Sequence, residues 1–163
     1  MNNYKPLVED EFYYCESPYS SIRLVDLAKG ENYKRKEDDY IKKAKGILLV
    51  FAINDLDSFK SAKKIYSNIK TIRKKRIPIL LVGNKLDLKN ERQVNEIDGQ
   101  KFAKSIGGYY IELSAMDDVK IMIDTLADLL LGNIGGGDCT CCWFFIENKF
   151  LIINRNLFEL FIT

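Results

Sequence analysis

The chain has 163 residues, 47% hydrophobic and 29% charged, and its 25 basic and 23 acidic side chains leave a net charge of +2. That length and apolar content fit one soluble domain with a real core. The near-neutral balance supplies no global field for nucleic acid, which is not expected as a partner. The N-terminal MNNYKPLVEDEF lacks the apolar centre of a signal peptide, and no stretch of about 20 apolar residues is free of charge, so neither a leader nor a transmembrane helix is expected. Of the four cysteines, Cys15 stands alone and Cys139, Cys141 and Cys142 crowd together, with no His in the chain to complete a Cys/His zinc site. No metal site is expected from these residues, and the compartment reads as reducing and intracellular.

In chain order, EFYYCE (11–16) and SIRLVDL (21–27) read as two strands joined by a turn at Ser17-Pro18-Tyr19-Ser20. Residues 31–45 read as a polar helix with Tyr33, Tyr40, Ile41 and Ala44 as its thin apolar stripe. GILLVFAI (46–53) is a continuous apolar run, as in a strand covered on both faces. Asp55 or Asp57 caps a helix running to about Arg76, in which Phe59, Ala62, Ile65, Tyr66, Ile69 and Ile72 recur at spacings of 3 and 4. The basic run Arg73-Lys74-Lys75-Arg76 reads as the solvated end of that helix, near its negative pole, with a localisation or lipid patch as the alternative.

Pro78 opens a second buried strand, IPILLVG. A helix over about 95–106 stops at Gly107-Gly108, YYIEL (109–113) is a further strand, and a helix over about 117–131 carries Val119, Met122, Ile123, Leu126, Leu129 and Leu130 on one face. The alternation of strand and helix predicts a mostly parallel α/β sheet with an antiparallel hairpin at its front. In such sheets ligands bind beyond the carboxyl ends of the strands. Asn84, Lys85 and Asp87 lie at one such end, Ser114 and Ala115 at the next, and Asp26 at a third.

These residue types suit a planar base. A carboxylate at Asp87 accepts from a ring N–H and an exocyclic NH2 side by side. The Lys85 stem lies along a ring face, and Asn84 ties neighbouring loops together by donating and accepting at once. The Ala115 N–H meets a ring carbonyl, and the Ser114 hydroxyl braces Asp87. The base that offers this donor pair together with a carbonyl is guanine. A lone N-K-x-D is more often a polar loop; the buried strand before it and Ser-Ala after the next strand are what favour the base.

The chain resembles the Ras-like small GTPases, over about residues 4–132. NKLD (84–87) matches their guanine motif and ELSA (112–115) their second base-contacting motif. YKPLVED, with Tyr4, Pro6, Val8, Glu9 and Asp10, resembles their effector loop, Asp26-Leu27-Ala28 the start of their second switch, and VFAIND (50–55) a family strand end. The resemblance implies the G-domain fold of the P-loop NTPases, a mostly parallel sheet flanked by helices. It also implies GTP and GDP as ligands, Mg2+ as cofactor, GTP hydrolysis, a role in signal transduction, and effector proteins with Ras-binding domains as partners.

Four departures bear on that function. No G-x-x-x-x-G-K-S/T occurs in the chain, which begins at the effector loop, so the family's first strand, phosphate loop and first helix have no counterpart. Leu7 stands where the family places a magnesium-binding Thr, Lys29 and Gly30 where it places the switch Gly and Gln, and Met116 where a Lys follows Ser-Ala. Forfeiting about six charged phosphate contacts removes on the order of 10 kcal/mol, leaving the base contacts to hold nucleotide at ~0.1–1 mM or weaker. We therefore expect a partial G domain over 1–132 that binds GTP or GDP weakly or not at all and has no catalytic residue of its own. The alternatives are an active switch with an unrecorded N-terminal segment and a non-functional gene copy.

The missing strand would lie between SIRLVDL and GILLVFAI, so those two strands would lose a shared neighbour. The atypical tail, 133–163, contains the strand-like FLIIN (150–154), and one reading places it in that slot as a parallel strand. A second reading is an unselected tail. A third is contact with the cytoplasmic face of the cell membrane, with Cys139, Cys141 and Cys142 as lipidation sites beside Trp143, Phe144 and Phe145; otherwise the protein is cytoplasmic. The last four residues, LFIT, carry no Cys for prenylation.

Overall fold

The computed structural model describes residues 11–17, 20–26, 34–114, 119–131 and 149–153. The front hairpin is β1 (Glu11–Ser17) and β2 (Ser20–Asp26), antiparallel in a register from Glu11 opposite Asp26 to Ser17 opposite Ser20. The serines expected in the turn therefore close the ladder, while Pro18 and Tyr19 lie outside the described residues. Then follow α1 (Lys34–Lys43), β3 (Gly46–Ala52), α2 (Leu56–Ile72), β4 (Ile79–Asn84), a 3₁₀ segment (Leu86–Glu91), α3 (Glu96–Ile106), β5 (Tyr109–Glu112), α4 (Val119–Leu131) and β6 (Lys149–Ile153).

The six strands form one sheet in the order β1-β2-β6-β3-β4-β5. All neighbours are parallel except β1 and β2. The slot between the hairpin and β3 is thus filled by the chain's own C-terminal strand. β6 pairs with β2 from Ile22 opposite Lys149 to Asp26 opposite Ile153, and with β3 from Gly46 opposite Leu151 to Leu48 opposite Ile153. The backbone groups of β2 and β3 that a vacancy would leave unpaired have this ladder instead.

Period-two alternation divides the core. Ile47, Leu49 and Phe51 of β3 and Ile53 just beyond it, with Ile79 and Leu81 of β4, pack with Ile41 and Ala44 at α1, Phe59, Ala62 and Ile69 of α2 and Ala103 of α3. Leu48, Val50, Leu80 and Val82 take the alternate positions and are equally buried, as are Met122, Leu126, Ala127 and Leu129 of α4. Both strands are buried along their whole length, which is why each reads as an unbroken apolar run.

Asp55 is the cap of α2, accepting from the Asp57 N–H at 2.9 Å and the Ser58 N–H at 3.1 Å, whereas Asp57 pairs with exposed Lys60. The other end of α2 corrects the expectation. The helix stops at Ile72, and Arg73 turns to extended backbone (φ −121°, ψ 115°). One guanidinium nitrogen of Arg73 donates to the carbonyls of Ile41 (2.9 Å), Lys42 (2.9 Å) and Ala44 (2.6 Å). The cation therefore closes the carboxyl end of α1, where orphan carbonyls and the negative pole of the helix dipole attract it, and does not solvate its own helix.

α3 crosses β5 at Gly99. A Cβ there would lie 2.5 Å from Cζ of Tyr110 and 2.6 Å from its hydroxyl oxygen. Ala is ordinarily worth about 1 kcal/mol over Gly inside a helix, but overpacking costs ~1–3 kcal/mol. Gly99→Ala is therefore expected to lower the melting temperature, and the same change in a Tyr110→Ala background to raise it. Thermal unfolding of the four chains checks the reversal of sign.

Candidate functional site

The carboxyl ends of β3, β4 and β5 meet at one edge of the sheet, and backbone hydrogen bonds lock their loops together. The Ile53 N–H donates to the Asn84 carbonyl at 2.9 Å, and the Leu113 N–H donates to the Gly83 carbonyl at 3.0 Å. The Leu86 N–H donates to the Leu113 carbonyl at 3.2 Å. The Ile53 carbonyl accepts from both the Gln93 N–H (2.8 Å) and the Val94 N–H (2.9 Å), which anchors the far end of the 3₁₀ segment to β3.

Four of the expected base-site residues come together here. Asn84 ends β4 and is buried. Lys85 follows in the left-handed region (φ 64°, ψ 39°), the one non-glycine residue with positive φ among those described. That conformation turns the chain sharply out of the strand, and non-glycine residues adopt it at a cost of order 1–3 kcal/mol. Asp87 lies in the first turn of the 3₁₀ segment and is exposed, while Ser114, just beyond β5, is buried. The Ser114 hydroxyl donates to Asp87 Oδ1 at 2.6 Å, so two adjacent strand ends hold one carboxylate.

Asp26 closes β2 opposite Ile153 and shares the carboxyl edge, but β6 and β3 stand between it and the Asn84 group. Ala115 lies outside the described residues. So do Tyr4, Pro6, Val8, Glu9 and Asp10 of the expected effector loop, the departures Leu7, Lys29, Gly30 and Met116, and Cys139, Cys141 and Cys142. Among the described residues no three His, Cys, Asp or Glu side chains gather as a metal site needs, and no helix is long and apolar enough to cross a membrane.

The sequence reading missed the group that braces this edge from beneath. Arg92 forms a bidentate pair with Glu112, at 2.7 Å to Oε1 and 2.6 Å to Oε2, and also donates to the Val94 carbonyl at 3.0 Å. The Tyr110 hydroxyl donates to the same Oε1 at 2.5 Å. Side-chain exposure is 10% for Glu112 and 23% for Arg92, so the pair is largely shielded from solvent. Burial pushes the Glu112 carboxyl up, but the hydrogen bonds from Arg92 and Tyr110 outweigh it and hold the group below its ordinary range. Burial and the bond to Glu112 push the Tyr110 phenol well above its usual value, and the Glu112 bond raises Arg92. The pair ties the 3₁₀ loop that carries Asp87 to the strand that delivers Ser114. Glu112 was visible as the first residue of ELSA, but nothing local marked Arg92 as its partner.

Residues 3–130 match the family model described as the Ras family. Ras-like protein 1 of Saccharomyces cerevisiae is 31% identical over 125 residues, covering 74% of this chain and 40% of its own length. Protein ras-1 of Neurospora crassa is 34% identical over 119 residues, covering 71% of this chain and 56% of its own. Ras-like protein RAS2 of Hydra vulgaris is 28% identical over 125 residues, covering 74% and 65%. The matched segment is thus less than two thirds of each of these relatives.

The brace predicts an acid-sensitive edge. A carboxyl whose folded pKa is depressed contributes stability in full above its unfolded value of about 4.3, and that contribution fades as pH falls through and below this value. At pH 7, Glu112→Gln is expected to cost on the order of 2 kcal/mol, or roughly 4–8 °C in melting temperature. The gap between the two chains should narrow as pH falls below about 4, and melting curves at pH 7 and 3.5 measure it. Equal gaps at both pH values would place the stabilisation elsewhere.

Proposed function

The chain belongs to the Ras family, and on that premise we propose that it is a guanine-nucleotide-binding protein of signal transduction whose base site is Asn84, Lys85, Asp87, Ser114 and Ala115. The observation that carries this reading is the Ser114–Asp87 bond at 2.6 Å. A carboxylate held by one oxygen at the carboxyl edge of a parallel sheet is what a base with paired N–H donors requires. Asn84 is buried at the end of β4, and its backbone carbonyl accepts from the Ile53 N–H.

The rest of the nucleotide finds less. These 163 residues contain no phosphate-loop motif, and Leu7 offers no hydroxyl where the family places one for magnesium. Among the described residues no cluster of His, Cys, Asp or Glu stands in for that hydroxyl, which supports weak rather than Mg2+-assisted binding. On this reading the chain as written binds GTP and GDP weakly and is not an effective GTPase, a partial G domain over 1–132 followed by an atypical tail. Tyr4, Pro6, Val8, Glu9 and Asp10 precede β1 in the sequence, and among the described strands β1 is an outer strand of the sheet. That edge suits effector proteins with Ras-binding domains that add a strand. Lipidation at Cys139, Cys141 and Cys142 would hold the protein at the cytoplasmic face of the membrane.

Isothermal titration of the purified chain with GDP, with ADP as the control, tests the base site. Binding selective for GDP at ~0.1–1 mM is expected, and it should be indifferent to Mg2+. Asp87→Asn removes a charged hydrogen-bond acceptor worth ~1.5–3 kcal/mol and should weaken GDP roughly 10- to 100-fold while leaving ADP unchanged. Equal binding of the two nucleotides, or no effect of the substitution, would sink the assignment.

A further inference from the structure

Helices α2 and α3 lie side by side on one face of the sheet, and an open cavity of about 510 Å3 lies between them. That volume is in the range of ligand pockets, ~300–1,000 Å3. Its floor is aromatic, with Phe102 edge-on to Phe59 at 5.8 Å, and Leu56, 42% exposed, stands at its rim. Its walls are cationic. Lys60 and Lys63 come from α2 and Lys101 from α3, against one carboxylate, Asp98, among the residues that line it. We propose that this groove docks an acidic segment of a partner protein, whose carboxylates meet these lysines while one aromatic or large aliphatic side chain enters the cavity.

The placement of the lysines carries this. Lys63 holds its ammonium 4.1 Å from the ring centroid of Phe59 and 5.4 Å from that of Phe102, so the charge stands over the floor of the cavity. Neither Lys63 nor Lys101 has an ion pair among the described residues, and Lys60 has only the exposed Asp57, a contact that solvent weakens. The helix dipoles do not account for them either. Dipoles act on the first and last turns, and Lys63 and Lys101 lie inside their helices.

The cationic wall continues past the cavity. Exposed Lys70 lies two turns after Lys63, and exposed Lys74 and Lys75 follow the end of α2. Exposed Arg76 reaches the end of α3, with a guanidinium nitrogen 3.8 Å from where a Cβ on Gly107 would stand. From Lys60 to the end of α2 is about 20 Å, the span of roughly six residues of extended chain. The net charge of the whole chain is only +2, so the attraction is a property of this face.

An acidic peptide with one apolar anchor answers both the walls and the floor. A nucleic-acid base needs an open ring face to stack on, and Lys63 already covers that of Phe59. A flat bilayer cannot reach the floor of a groove between two helices. The groove uses none of Asn84, Lys85, Asp87 and Ser114, so the proposal stands apart from nucleotide binding.

The test titrates the full-length chain into a fluorescent seven-residue peptide, EDEFEDE, and reads its anisotropy. The controls are EDESEDE, which lacks the ring, and KRKFKRK, which reverses the charge. Expected is binding of EDEFEDE that weakens at least ~10-fold as salt rises from about 0.05 to about 0.5 M, weaker binding of EDESEDE, and none of KRKFKRK. Lys63→Glu and Lys101→Glu, on different helices, should each weaken EDEFEDE ~5- to 20-fold. Lys120→Glu, on α4, should leave it unchanged. Melting curves near that of the parent chain show that each variant is folded. Equal binding of EDEFEDE and EDESEDE would overturn the proposal, as would unchanged affinity in both lysine variants or no binding of EDEFEDE below about 1 mM. Vesicles of phosphatidylserine and phosphatidylcholine that bind through the same lysines while the peptide does not would assign the face to a membrane and overturn it as well.

Discussion

An interior strand has two ladders of backbone N–H and C=O groups, and both must be met. Here that demand falls on β2 and β3, whose facing edges meet only through β6. Each backbone group left unpaired in such a place costs ~1–3 kcal/mol. The five-residue ladder on one side and three-residue ladder on the other therefore decide whether the hairpin and the β3–β4–β5 unit share a sheet at all. α1 packs against β6 as well as α2, and Arg73 fastens the carboxyl end of α1 to the turn after α2. The helix that leads from the hairpin to β3 is thus placed partly by a strand more than a hundred residues downstream.

The edge formed by the ends of β3, β4 and β5 depends on that strand less. Its hydrogen bonds run among the ends of β3, β4 and β5 and the 3₁₀ loop, and none of them involves β6. Its side-chain brace, Arg92–Glu112–Tyr110, lies on the far side of the sheet from the slot, with Gly99 letting α3 close onto the Tyr110 ring. A shielded pair such as Arg92 and Glu112 has to recover the cost of leaving water. It does so here with the second guanidinium bond and the phenol, which satisfy further oxygen lone pairs. The aromatic cluster behind it, Phe51 tilted against Phe59 at 4.7 Å and Phe59 edge-on to Phe102 at 5.8 Å, holds α2 and α3 over the same strands.

What could be read from the residues follows from how local each cause is. GILLVFAI and IPILLVG announce buried strands because burial on both faces leaves no polar position to interrupt them. NKLD and ELSA stand out together because parallel topology brings adjacent strand ends side by side. The 3₁₀ segment Leu86–Glu91 was invisible, since a six-residue stretch is too short to show a period. Arg73 was misread because its partners are carbonyls about thirty residues upstream, and a basic run at a helix end looks the same whether it faces water or a neighbouring helix. The place of FLIIN came from neither motif nor period. It came from the requirement that two apolar strands share a neighbour, a constraint on the whole sheet rather than on any window of it.

The two halves of a nucleotide site are separable in these terms. On the proposed reading the base half is a set of loops at the ends of β3, β4 and β5, while the phosphate half belongs, in the family, to the strand that would stand where β6 stands. Phosphate contacts are the same for a guanine and an adenine nucleotide, so they raise affinity without choosing between them. On the proposed reading selectivity would reside in the difference between the bases at Asp87, and a difference survives when the shared term is removed. On the proposed reading, a chain with the base half alone keeps the preference of its relatives while giving up most of their affinity. Where the phosphate half is weak, the ratio of two weak affinities, and not the strength of either, is what the proposed Ser114–Asp87 site would control.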